Sequence, residues 1–143
     1  MSNRPILAVT DKEILECFPV MHELRPHLDQ GEFVTTVSNM APHGYQLLYI
    51  RDQADEVAAV AGFRISHNLF MGKHLYIDDL VTSADKRSQG YGEQLLSWLR
   101  KLARSENCAW LHLDSGTQRE QAHKFYFREG MTITSFHFSE SLE

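Results

Sequence analysis

Cysteine is nearly absent: Cys17 and Cys108 stand far apart, in no CxxC or metal-ligand spacing. That excludes a disulfide framework and fits a chain kept reduced in the cytoplasm. No run approaches the ~18 apolar residues of a membrane span, and the start, MSNRPILAVTDKE, holds no signal-peptide core. The expectation is a soluble, cytoplasmic protein without a membrane partner. A basic excess is missing as well, since 14 Lys and Arg face 19 Asp and Glu for a formal charge of −5. This balance argues against nucleic acid as a partner. Eight histidines occur, none in an HxxxH or HExxH arrangement, so no metal is expected. Repeats, low-complexity tracts and Pro/Gly/Ser-rich linkers are lacking too. The 143 residues therefore read as one domain, 1–143, within the ~100–200 residues that share a core.

What is present is periodic. Ile6 to Val9 is a short apolar run fit for a first strand. Thr10 with Glu13 three residues on is a capping-box pattern, and Ile14, Leu15, Phe18, Met21 and Leu24 follow at helical spacing. Pro19 marks a kink or boundary there. A second helix is expected over Asp29 to Met40, with Phe33, Val37 and Met40 inward. After Gly44 the period becomes two. Tyr45 to Arg51 and Glu56 to Ser66 flank the polar turn Asp52–Asp55 as a hairpin, and Leu75 to Thr82, "LYIDDLV" with its two acids, is a further strand. A helix then carries Tyr91, Leu95, Trp98 or Leu99 and Leu102 at spacings of three and four. Trp110 to Leu113 reads as a strand, Gln118 to Glu129 as a helix closed by Gly130, and Met131 to Phe138 as a last strand. Trp98 and Trp110 read as core. The order β-α-α-β-β-β-α-β-α-β predicts an α/β fold with a mixed sheet and a right-handed crossover between parallel neighbours.

One segment asks for chemistry. Arg87-Ser88-Gln89-Gly90-Tyr91-Gly92 follows a strand and opens a helix. Such a turn offers unpaired backbone N–H groups and the positive end of the helix dipole to an anion. Glycine there lets a ligand approach the main chain, and Arg87 and Lys86 add charge at the rim. A plain turn that needs glycine for its geometry is the competing reading. The segment is neither a Walker A loop nor a GxGxxG fingerprint.

RSQGYG fits the R/Q-x-x-G-x-G/A pattern of the GNAT superfamily of N-acetyltransferases. Downstream, AHKFYFREGM resembles that family's A-x-x-F-Y-x-x-x-G-F stretch at Ala122, Phe125, Tyr126, Gly130 and Met131. The resemblance is strong over Leu75 to Phe138 and agrees in element order elsewhere. Two positions depart from the pattern: Arg119 stands where the family often has Asn, and Met131 replaces an aromatic. LDSG at Leu113–Gly116, with His137-Phe138, looks like a bacterial subgroup of unassigned acceptor.

The resemblance implies the GNAT fold, with a splayed central mixed sheet flanked by helices, and acetyl-CoA as co-substrate. It implies that Arg87, Ser88, Gln89, Gly90, Tyr91 and Gly92 hold the pyrophosphate and that the pantetheine arm runs beside Leu80, Val81 and Thr82. Arg119 stands at a further cofactor contact, and an N–H of Leu80 or Val81 serves as the oxyanion donor. It implies transfer to an amine, of a small molecule or of a peptide or protein, by direct attack in a ternary complex. Tyr126 matches the family's general acid; helix packing beside Phe125 is the plain alternative. For the base, Asp78 and Asp79 are the candidates, with Asp78 preferred. Strand alternation puts one on each sheet face unless the strand is bulged, as it often is in the family. A carboxylate tied to a helix N-terminus or to an arginine such as Arg64 is the alternative, and a water chain is another. Nothing resembles an activated Cys or Ser nucleophile.

Several side chains stay with two readings. Tyr76 and His74 line the acceptor side or lie on the surface, and His137 reaches the cleft or packs. The charged segment His22 to Gln30, with Glu23, Arg25 and His27, walls the acceptor or is simply solvated. A net negative chain suits a cationic acceptor such as a polyamine, an aminoglycoside or a lysine side chain. A homodimer is compatible with the family. The competing functional class is a non-catalytic acyl-CoA-binding sensor or interaction module on the same fold; transfer of longer acyl groups is a third reading.

Overall fold

The computed structural model describes residues 3–143, which fall into two compact units, the first running to His112 and the second Leu113–Glu143. In the first, α1 (Asp11–Glu16) starts at the expected capping box. Glu13 N–H donates to Thr10 Oγ1 (3.1 Å) and Thr10 N–H donates to Glu13 Oε1 (2.9 Å), so two orphan amides of the helix start are satisfied. Pro19 marks a boundary: α2 (Phe18–Leu24) begins just before it, where a proline removes no helical hydrogen bond. Helix α3 (Gln30–Met40) follows, then the 3-10 turn Ala41–His43.

Strands β1 (Ile6–Leu7), β2 (Gln46–Arg51), β3 (Val57–Asn68) and β4 (Gly72–Thr82) pair antiparallel in that order, and β5 (Trp110–Leu113) completes a five-stranded mixed sheet. The β3–β4 hairpin is longer than the sequence predicts on both sides. Asp52 Oδ1 accepts from Ala54 and Glu56 N–H (2.9 and 3.0 Å), which shapes the β2–β3 turn. Where β4 and β5 begin, Ala109 N–H donates to Lys73 O (2.8 Å).

Alternation along β2 sorts the core. Leu47 and Tyr49 join Ile14, Phe18, Met21, Phe33 and Val37 under α1–α3. Buried Leu48, Ile50, Phe63, Leu75 and Ile77 occupy the other face, where α4 (Tyr91–Ser105) packs Leu95, Leu96 and Leu99 and Trp98 meets Phe63 edge-on at 6.2 Å. Each such buried Leu or Phe contributes about 1.5–3 kcal/mol.

Two expectations are corrected. Trp110 is 53% exposed and not core; it opens a four-residue strand with no fully buried position. The second unit holds α5 (Glu120–Arg128), closed by Gly130 at φ +88°, but Met131 to Phe138 is not a strand. Its apolar alternation, Met131 and Ile133 then Phe136 and Phe138, slips by one at Thr134-Ser135, so one face is not kept apolar. Ile133, Phe136 and Phe138 are exposed.

Candidate functional site

Beyond β4 the chain makes a 3-10 turn at Ala84–Lys86 and enters α4 through Ser88 at φ +64° and Gly90 at φ +86°. Gly90 is the N-cap, and no side chain caps the first amides of α4. A Cβ at Gly90 would meet nothing within 4 Å; the left-handed backbone, not crowding, calls for glycine. The result is an exposed turn of Arg87, Ser88, Gln89 and Gly90 leading to Tyr91 and Gly92. Lys86 does not serve it, because its ammonium is held by Glu56 (3.0 Å), Asp52 (3.5 Å) and Asp85 (3.8 Å). Glu23 anchors the approach: its carboxylate accepts from Ala84 N–H (2.9 Å) and Ser83 Oγ (3.0 Å).

The two acids of β4 share a bulge. Gly62 pairs with Asp79 and Phe63 with Ile77, so Asp78 is the extra residue. Strict alternation, which separates the carboxylates, is thereby broken. Asp78 takes Arg64 Nε (3.1 Å) and Nη2 (2.7 Å) bidentately, and Arg64 is the arginine the sequence offered as its alternative partner. Asp79 accepts from Arg25 Nε (2.9 Å) and Tyr45 Oη (2.8 Å), while Arg25 Nη2 donates to Asp78 O (2.9 Å). The Asp78 carboxylate holds the Arg64 guanidinium above its ordinary value. Burial first, and Asp79 second, push the Tyr45 hydroxyl well above the phenol range, so it stays a donor. Gly62 makes this possible: a Cβ there would lie 1.9 Å from Tyr45 Oη and 2.6 Å from Asp79 Oδ2.

Past the bulge, Ser83 N–H donates to Ala58 O on β3 (2.8 Å). In an antiparallel ladder alternate residues bond the same partner. Val81 N–H therefore turns toward β3, and the N–H groups of Leu80 and Thr82 turn to the opposite edge. Nearer the start of β4, His74 is buried and its Nδ1 lies 2.8 Å from His112 Nε2, with Ser66 Oγ 3.4 Å from the other ring nitrogen. Tyr76 packs edge-on to His112 at 5.0 Å. His74 is thus not on the surface.

In the second unit, Arg119 is the N-cap residue of α5 and Tyr126 lies two turns along it. Burial raises the Tyr126 hydroxyl above its ordinary value of 10; the Arg119 charge and a hydrogen bond from it act in the opposite direction. Phe125 stands T-shaped to Tyr126 at 5.5 Å. His137 is exposed, not packed, with Nδ1 3.5 Å from Asp114. Among the described residues no group of three His, Cys, Asp or Glu is placed to hold a metal.

The bulge network joins Arg25, Tyr45, Arg64, Asp78 and Asp79, of which the sequence singled out the two acids as catalytic candidates. Arg25 and Glu23 belong to the segment it offered as acceptor wall or solvated loop; Arg25 is tied to β4, and Glu23, itself exposed, to Ser83 and Ala84 just beyond it. Tyr45 and Gly62 were missed. The one signal was a glycine inside the apolar run VAAVAGFRI, which marks a bulge or a close approach.

A mixed five-stranded sheet, a bulged acidic fourth strand and a glycine-capped helix after it frame the candidate site. The profile of the Acetyltransferase (GNAT) family matches residues 9–131, and the chain belongs to that family. Over 128 residues it is 34% identical to the uncharacterized N-acetyltransferase YhdJ of Bacillus subtilis, covering 89% of this chain and 90% of that one. It is also 34% identical over 80 residues to the aminoalkylphosphonate N-acetyltransferase of Salmonella typhimurium, covering 56% and 50% of the two chains. A solved acetyltransferase from Trypanosoma brucei shares the fold at a TM-score of 0.80 and 19% identity, over 99% of this chain and 100% of that one. The protein is an N-acetyltransferase.

Proposed function

We propose that this chain moves the acetyl group of acetyl-CoA onto a primary amine by direct attack in a ternary complex, in the cytoplasm, where its two free thiols persist. The observation that carries the reading is the start of α4: a left-handed glycine cap, no side-chain acceptor for the first amides, and Arg87 exposed beside them. Backbone N–H groups of Gln89 to Gly92, with Arg87 and Ser88, take the pyrophosphate at the positive helix end. The pantetheine arm lies along Leu80, Val81 and Thr82. Of these, Leu80 is the better oxyanion donor, since its N–H is turned away from β3. The family match spans both compact units, which supports one functional domain over 1–143.

For the chemistry, the amine nitrogen forms its bond to the thioester carbon and the C–S bond breaks. The sulfur leaves with the electron pair and takes a proton from Tyr126, a phenol whose ordinary value of 10 keeps it protonated at neutral pH and which burial raises further. The extra proton that the acylated nitrogen sheds restores the phenol. Arg119, at the head of the same helix, supplies a cofactor contact. Asp78 and Asp79, brought together by the bulge, keep lone pairs beyond those given to Arg64, Arg25 and Tyr45. They draw the acceptor ammonium to the bulge and take its proton, directly or through water.

Thiol release from acetyl-CoA with a responsive amine tests the acid. Tyr126→Phe is expected to cut kcat about 10²–10⁴-fold, the usual worth of a positioned acid, with acetyl-CoA affinity unchanged. An equal loss of affinity, or no loss of kcat, would contradict the role.

A further inference from the structure

A cleft of about 240 Å3 opens in the first unit, lined by Thr36, Asn39, Met40, His43, Tyr45 and Arg64. Thr36, Asn39, Met40 and His43 follow one another at i, i+3, i+4 and i+7, so α3 and the turn after it present them on one face. Sites for drug-sized ligands hold roughly 300–1,000 Å3; this one suits a smaller group.

Most of the lining surface is apolar, with a few hydrogen-bonding groups set into it. Thr36 brings a hydroxyl, Asn39 an amide, His43 a ring N–H and Arg64 a guanidinium, and no carboxylate lines the cleft. Arg64 spends Nε and Nη2 on Asp78, which leaves the Nη1 hydrogens outside that pair. Near the end of α3, Val37 O accepts from Ala41 N–H, Met40 O from Tyr45 N–H and Ala41 O from Gly44 N–H.

Two residues of the lining also reach the bulge. Arg64 holds Asp78, and Tyr45 holds Asp79. We propose that the cleft takes the anionic group, a carboxylate or a phosphate, of an acceptor whose amine lies at Asp78 and Asp79. This rests on the reading of the chain as an amine acetyltransferase and narrows the acceptor to amines that carry an acidic group. The local charges agree. Arg25 and Arg64 balance Asp78 and Asp79, so a zwitterion leaves the site neutral. A polyamine would set its second cation against Arg64.

The test compares 3-aminopropionate, O-phosphoethanolamine and n-propylamine as acceptors at one ionic strength, by thiol release from acetyl-CoA. At least one acid-bearing amine is expected to exceed n-propylamine at least tenfold in kcat/KM. Asn39→Asp, a near-isosteric change on an exposed helix face, is expected to lower that preference ratio at least tenfold, and Thr36→Asp to do the same. Equal use of all three amines, or a ratio that both variants leave in place, overturns the proposal. Calorimetric titration of the same compounds with CoA bound separates the two readings. Acid-bearing amines that bind in preference without any turnover would uphold the cleft and sink the acetyltransfer reading. Turnover without preference does the reverse, and neither binding nor turnover sinks both.

Discussion

Gly62 shows how much of the site turns on a single hydrogen atom. Its missing side chain is the space that Tyr45 Oη and Asp79 Oδ2 occupy, and the strand register there makes room for Asp78 as well. Gly62→Ala forces backbone or Tyr45 to shift, an overpacking cost of about 1–3 kcal/mol, and it detaches Asp79 from its phenol donor. Urea denaturation is expected to show that loss together with a reduced kcat/KM for the amine. An unchanged midpoint would mean that the Tyr45–Asp79 bond is not confined as the structure has it. The two acids were visible in LYIDDLV, because a carboxylate inside an apolar strand is costly unless it is partnered. Their partners were not: Arg25 lies 54 residues away in the chain from Asp79, and Tyr45 lies 34 away. No local pattern encodes which distant donor a strand acid will find.

Among the elements, those ruled by neighbours in sequence were the legible ones. The Thr10–Glu13 box started α1 where its spacing said it would, and Pro19 fell at a helix boundary. Gly130 closed α5 in the left-handed conformation expected of it. The box also carries a pH dependence. Backbone N–H groups of Thr10 and Val9, then the Thr10 hydroxyl, hold the Glu13 carboxyl at about 2, below its ordinary 4.5. A group lowered in this way contributes stability that is whole above pH 4.5 and is lost as pH falls through about 2. Glu13→Gln keeps a capping side chain without the titration, so its melting temperature should fall less steeply across that window than the wild type's. Identical slopes would deny Glu13 the role. Elements that need a distant partner were harder to read. Met131 to Phe138 alternates in part, yet alternation makes a strand only where a ladder receives it. The bulge in β4 is set by the chain opposite and is likewise silent in the sequence.

At the scale of the molecule, element order and two short motifs were enough to suggest the family, since the glycine turn and the AHKFYFREGM stretch sit at a spacing that a chance match would not keep. The chain's match to the GNAT family over residues 9–131 agrees with that. The turn proposed to hold the donor was legible because it is built largely from backbone, which a glycine pattern announces. The proposed acceptor side is built from side chains that α2, α3, β2, β3 and β4 bring together, which no local pattern announces. A chain of −5 is compatible with a cationic acceptor; the acid-bearing amine proposed above rests instead on the cleft beside the bulge, where Arg64, and no carboxylate, lines the wall. The most direct measurement incubates the purified protein with acetyl-CoA and the amines above and follows free thiol and acetylated amine together by mass spectrometry. The account predicts one acetylated amine for each thiol released, in amounts that scale with enzyme. Tight binding of acetyl-CoA with no acetylated product from any amine would contradict it and leave a sensor in place of an enzyme.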